Sequence, residues 1–343
     1  MKLPLSIQEL NSEHARLCLD IEKFGNLKSG TNFASQKLLI AVSGGIDSTA
    51  LLIISTLLAR KSGGRVFCAH MDHNLREESC QDREFVEKLC SNLDVPCVCK
   101  SEDVSDYAVN KSVGLEEAGR ILRYNFFNEC MKKFDTSFLV LAHHLGDLCE
   151  DVVMRLIRGA GWPALGGMDA YDPGRKLLRP LLTTNKLQLE DFLKSIDCPW
   201  QDDKSNFSDK WTRNRIRNHI IPLLHNENPS FGTSIARLKS QADQDQNYWN
   251  CEIAKSLKKL EQLDGGEWLA PCSLLNKSHP ALRCRLFKKI IEMLGKGHAL
   301  ADSITLLENA YSARKTGAVF QFPAGKTATI TRKGIVFKIS QRY

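Results

Sequence analysis

The chain has 343 residues, of which 43% are apolar and 25% charged, ordinary globular usage that excludes collagen-like, low-complexity and disordered architectures. At about 150 residues per domain this length suggests two domains. Forty-seven basic against 40 acidic side chains leave a net charge of +7, which suits a phosphate-bearing partner without requiring one. The longest apolar stretch, 50–59, is about half of what spans a bilayer. The N-terminus, with Pro4, Gln8 and Glu9, has no apolar core for a signal peptide, so the expected compartment is the cytoplasm. The twelve cysteines form no Cys-x-x-Cys pair, the nearest two being Cys97 and Cys99. They read as reduced, mostly buried thiols, without the ligand spacings of a zinc site.

In chain order, the first thirty residues read as helical, with Ser6 and Glu9 spaced as a capping box. Short apolar runs then alternate with helical stretches. Strands are expected over 37–42, 65–69, 95–99 and 138–142, and helices over 48–59, 80–92, 115–133 and 147–157. Such alternation argues for βαβ units and a parallel sheet covered on both faces. A Gly/Pro-rich loop follows over 159–174, then an amphipathic helix over 187–196 and a basic, then helical segment over 207–224. A domain boundary is expected near 226. Beyond it the pattern predicts a long polar helix over 231–263, a second helix over 281–294, and strands over 318–322, 327–331 and 335–339.

The strongest chemical signal is Ser43-Gly44-Gly45-Ile46-Asp47-Ser48, between a predicted strand and a predicted helix. Glycines there let backbone approach phosphate oxygens, and a helix N-terminus adds free N–H groups and a positive dipole end. The loop has no lysine and is not a Walker loop. Gly325-Lys326-Thr327 fails the same pattern, because Phe320 stands where a glycine is required. The i, i+3 acids Asp147 and Glu150 share a helix face, and His143 and His144 end a strand, where open α/β sheets place ligands. His70, Asp72 and His73 end another strand.

The Ser43–Ser48 loop resembles the PP-loop ATP pyrophosphatase superfamily. Further blocks resemble, in the same order, the tRNA(Ile)-lysidine synthetase family: 70–79 (His70, Asp72, His73, Arg76), 115–124 (Glu116, Glu117, Arg120, Arg123), 142–150, 158–161, Arg179-Pro180, and 203–217 (Asp203, Ser205, Asn206, Arg213, Arg215, Arg217). The resemblance implies a Rossmann-like parallel α/β sheet over 1–225, and over 226–343 a helical linker with a smaller α+β tRNA-binding domain. It implies ATP-dependent ligation of free L-lysine to the cytidine at the first anticodon position of tRNA(Ile) with a CAU anticodon, releasing AMP and pyrophosphate. By the same resemblance, Ser43, Gly44, Gly45, Ile46, Asp47, Ser48 and His143 would bind ATP. Asp47, Arg120, His143 and Arg215 would be catalytic, Asp147 and Glu150 would take the lysine, and Arg213 and Arg217 would meet tRNA phosphates. Mg²⁺ is expected, with Asp47 as its ligand.

The chain departs from the family pattern at Gly146, Leu148 and Asp151, where an acid, Gln and Thr are common, and at Gly119, where Ala is common. Two other readings are a PP-loop thiolase and a non-catalytic RNA-binding protein. The lack of paired cysteines disfavours the first and the intact loop the second. Oligomeric state is left open, a homodimer included.

Overall fold

The structure, a computed structural model, describes residues 3–72, 79–201, 209 and 211–339. It divides into two compact units, meeting at Ser240 and Gln241.

The first unit opens with helix α1 (Ser12–Ser29). Ser6 and Glu9 do bond to each other, at 3.3 Å, but they close only one 3-10 turn; α1 is capped by Asn11, whose side chain accepts from the His14 N–H at 2.8 Å. The βαβ run follows in order: β1 (Lys37–Ala41), α2 (Ile46–Ser62), β2 (Arg65–Asp72), α3 (Ser79–Leu93), β3 (Cys97–Ser101), α4 (Val104–Lys111), α5 (Leu115–Phe134), β4 (Phe138–Val140) and α6 (Leu145–Ile157). The 159–174 segment contains a 3-10 turn and leads through β5 (Tyr171–Asp172) to β6 (Leu177–Leu178) and α7 (Lys186–Ser195).

The sheet order is β3-β2-β1-β4-β6-β5, parallel except for β5. β1 is a continuous apolar run because helices cover both faces. α2 is buried on every side from Ser48 to Ala59, which explains why the chain's longest apolar stretch is a helix of a sandwiched layer. The strand order reverses between β1 and β4, so the crevice beyond their carboxyl ends is where an open α/β sheet holds ligands.

Helix α8 (Thr212–Arg215) continues through a π turn (Ile216–Ile220) into α9 (Ile221–Glu227), and α10 (Phe231–Leu257) crosses the division between the units. The first turns of α10 place Phe231, Ile235 and Leu238 in a core with Leu148, so this unit runs past the composition change at 226.

The second unit holds β7 (Glu261–Gln262), β8 (Trp268–Pro271), α11 (Cys272–Leu275), α12 (Pro280–Met293), α13 (Ala301–Ser312), β9 (Val319–Phe322), β10 (Lys326–Ile330) and β11 (Gly334–Ile339). Its antiparallel sheet runs β7-β8-β11-β10-β9. The sequence pattern predicts none of β7, β8 and α13 and extends the long helix to 263, whereas α10 stops at Leu257. Lys326, in the failed Walker tripeptide, is buried and donates to the carbonyls of Ile291, Gly295 and Gly297 at 2.8–2.9 Å. Among the described residues no helix is long and apolar enough to cross a membrane.

Candidate active site

The loop after β1 enters α2 with Gly45 as the helix N-cap and Gly44 at φ +97°, a left-handed conformation that favours glycine. The loop is knitted by its own side chains. The Ser43 N–H donates to Ser48 Oγ at 3.1 Å, Ser48 Oγ donates to the Gly45 carbonyl at 3.1 Å, and Thr49 Oγ1 donates to the Gly44 carbonyl at 3.0 Å. The α2 N-terminus therefore points at the switch-point crevice from a preformed turn.

Asp47, in the first turn of α2, is largely enclosed. Its Oδ1 is buried with no hydrogen-bond partner, and its Oδ2 lies 3.6 Å from His144 Nε2. Burial pushes its carboxyl pKa up, opposed by His144 and Lys186. An enclosed carboxylate with an orphaned oxygen fits a hard divalent cation.

β4 delivers His143 and His144 to the same crevice. His144 caps α6: its Nδ1 accepts from the Gly146 N–H at 3.0 Å, which leaves the ring proton on Nε2, and Nε2 lies 3.6 Å from both Asp47 Oδ2 and Asp147 Oδ2. A Cβ at position 146 would stand 2.7 Å from His144 Cε1, so glycine leaves room for this capping ring. His143 Nδ1 accepts from Arg179 Nε at 3.1 Å. Burial, reinforced by Arg179, pushes the His143 imidazole down to about 4, so it is neutral at pH 7 and presents Nε2–H as its donor.

Asp147 and Glu150 lie on one buried face of α6. Asp147 Oδ2 accepts from the His144 N–H at 2.9 Å, closing a capping box. Burial works against ionisation of Asp147, but His144, Arg213, His143 and that N–H outweigh it and hold its pKa below the usual range. Arg213 donates to Asp147 Oδ1 at 2.8 Å and to Glu150 Oε2 at 2.7 Å; Arg217 donates to Glu150 Oε1 at 2.5 Å and Oε2 at 3.0 Å. Positions 213 and 217, one helical turn apart, share a face. Arg215 projects elsewhere, donating to the Asp209 carbonyl at 2.9 Å and Thr212 Oγ1 at 3.0 Å. Leu148 is fully buried in a core cluster, and Asp151 accepts from Arg155 Nε at 2.8 Å, which fixes the helix to the turn below it.

Arg120 is exposed on α5 and lies over the Tyr124 ring at 5.3 Å. With residues 114–117 and Trp211 it lines an open cleft of about 680 Å³. His70 is buried, with Nδ1 2.9 Å from the Val42 carbonyl and Nε2 without a partner, while Asp72 accepts from Ser101 Oγ at 3.1 Å. His73, Arg76, Asp203, Ser205 and Asn206 lie outside the described residues. The geometry thus brings together Ser43–Ser48, Asp47, Asp147, Glu150, Arg213 and Arg217, with His144 at the centre, and leaves Arg120 and Arg215 at the margin. Lys186, at the start of α7, and the role of Arg179 as the partner of His143 were not legible beforehand, since each depends on a contact made across the sheet.

A family model described as a PP-loop domain matches residues 19–224. The tRNA(Ile)-lysidine synthase of Nitratidesulfovibrio vulgaris is 38% identical over 90% of this chain and 94% of its own length. That of Thermotoga maritima is 38% identical over 60% of this chain and 49% of its own, so the chain spans about half the length of such longer relatives. Among solved structures, the U34-tRNA thiolase NcsA of Methanococcus maripaludis, with its [4Fe-4S] cluster, superposes with a TM-score of 0.54 at 14% identity, covering 67% of this chain and 79% of that one. At that identity the likeness extends to the fold alone. Block order, sheet topology and these relatives converge: the chain belongs to the PP-loop family and, within it, to the tRNA(Ile)-lysidine synthases.

Proposed function

We propose that this chain ligates free lysine to the CAU-anticodon cytidine of tRNA(Ile), with Asp147 and Glu150 as the lysine subsite. The carrying observation is the convergence of three acids, Asp47, Asp147 and Glu150, on the crevice that the glycine turn and the neutral His143 face. ATP lies with its phosphates on Ser43–Ser48. The hydroxyls of Ser43 and Ser48, now 3.1 Å apart, turn outward to phosphate oxygens, and His143 donates from Nε2. Asp47 would hold Mg²⁺, which neutralises charge on the departing pyrophosphate. The cytosine carbonyl oxygen takes the α-phosphoryl group as pyrophosphate leaves. The lysine ε-amine then attacks the carbon bearing that oxygen, and AMP departs with it. Arg120, on the open cleft, and Arg215, now turned to Asp209 and Thr212, would have to swing toward this path to balance its negative charge.

Free lysine arrives protonated, and removing that proton at pH 7 costs about 4–5 kcal/mol. The acid pair selects the cation and receives the proton. Both carboxylates are now neutralised by Arg213 and Arg217, so the ammonium enters by displacing a guanidinium. Displacement turns Arg213 and Arg217 toward tRNA phosphates and couples lysine arrival to tRNA engagement. Free, unbridged thiols at all eleven described cysteines favour the reducing cytoplasm. Mass analysis of tRNA nucleosides after incubation with ATP, isotopically labelled lysine and CAU-anticodon tRNA(Ile) tests the reading. A labelled lysine adduct on cytidine is expected, and label confined to free lysine would reject it.

A further inference from the structure

Cys68 on β2, Cys90 on α3 and Cys97 on β3 converge on one face of the sheet, all three Sγ atoms within 4.8 Å of one another. Parallel register sets Cys68 directly beside Cys97, and the two-residue strand period turns Cys99 to the same face, its Sγ 3.7 Å from that of Cys97. We propose that Cys68, Cys90, Cys97 and Cys99 form a thiolate site for one soft divalent cation of the zinc class, fastening α3 to the sheet.

The spacing carries the assignment. A tetrahedral ion with bonds of about 2.3 Å to sulfur separates its ligands by about 3.8 Å, the distance already found between Cys97 and Cys99. The sulfurs of Cys68, Cys90 and Cys97, mutually within 4.8 Å, with that of Cys99 adjoining Cys97, leave room for a single ion rather than a multi-iron cluster. Cys68 and Cys90 are buried in one core cluster with Val86, Leu89 and Leu93, while Cys97 and Cys99 are half-buried and give an ion access from solvent. The site has a structural purpose: β3 is a sheet edge with one β neighbour, and α3 leads directly from the 70–79 block. Motif spacing hides it, because two ligands come from separate elements and the third and fourth form a Cys-x-Cys pair. It lies on the face of the sheet that α3 covers and is independent of the ligase reading.

The test is cobalt titration of the reduced full-length chain, with zinc stoichiometry measured by elemental mass spectrometry. One zinc per chain is expected, together with an intense sulfur-to-cobalt charge-transfer band that zinc abolishes. Losing even an outer partner of a metal ligand costs about 10–100-fold in affinity, so Cys90→Ser and the half-buried Cys97→Ser should each weaken binding by more than about 100-fold. Cys251→Ser, at an exposed thiol on α10, should leave it unchanged. Cys97→Ser is checked for native circular dichroism. Should the variants fail to fold, one equivalent of zinc must still protect Cys97 and Cys99 of the unaltered chain from alkylation. No thiolate band, a band that persists in folded Cys97→Ser, iron with inorganic sulfide in place of zinc, or a disulfide among the four would each overturn the assignment.

Discussion

Two buried arginine–carboxylate networks, one in each unit, are built from the same groups and differ in how completely they are closed. In the second unit Arg283 lies bidentate on Glu308. Its remaining N–H groups go to the carbonyls of Leu275 and Ser278 at 3.1 and 2.9 Å and to Ser312 Oγ at 3.1 Å, and the side chains are 11% and 8% exposed. In the first unit Glu150 is as deeply buried, at 5%, but its partners Arg213 and Arg217 are 38% and 35% exposed, and Asp47 nearby keeps an oxygen with no partner. A closed network holds a fold together. An open one, with half-exposed partners on one side and an unfilled acceptor on the other, is arranged for exchange. Although 226–343 is expected to bind tRNA, Arg283, buried on Glu308, serves the core of the second unit.

The contrast can be broken most forcefully at Arg283. Arg283→Ala strands a buried carboxylate and should destabilise the second unit by about 3–5 kcal/mol in urea denaturation. A loss below about 1 kcal/mol would put the two networks in one class. Asp47→Asn, which keeps shape and removes charge, should lower lysine-dependent pyrophosphate release by about 10²–10³-fold while the melting temperature stays near that of the parent. An unaltered rate would remove Asp47 from the site.

Asp147→Asn should raise KM for lysine by roughly 10–100-fold, the value of a charge-assisted hydrogen bond, and change KM for ATP much less. Equal effects on both substrates would contradict the lysine assignment. The smallest effect concerns His143, whose pKa is depressed to about 4. In the unfolded chain an ordinary imidazole takes a proton below about 6.5, and the folded one does not until about 4. Stability is therefore full above pH 6.5 and declines between 6.5 and 4. The decline is about 1–2 kcal/mol after allowance for partial exposure. Denaturant midpoints measured across that window should flatten in His143→Asn; an unchanged slope would deny His143 its buried, neutral state.

The parts of the molecule written locally were legible in the sequence. Lys37–Ala41 and the helix after it carry their own apolar pattern, the glycine turn its own chemistry, and Asp147 and Glu150 their helical spacing. What escaped depends on contacts between distant elements. Nothing adjacent to Arg213 says that it faces α6 while Arg215 turns back on its own segment, because the helical face decides it. The central place of His144, as opposed to His143, follows from a cap made possible by Gly146. In the second unit, β7 and β8 are two and four residues long and take their strand form from pairing with β11 and each other, and no periodicity of their own announces them.

In the proposed function the lysine-free glycine turn directs cleavage of ATP between its α and β phosphates. The direct measurement follows ATP labelled at the α and γ phosphates during turnover with lysine and tRNA(Ile). Labelled AMP and pyrophosphate are expected in equal amounts, one pair for each lysine joined to cytidine. ADP and orthophosphate as the products would contradict that cleavage.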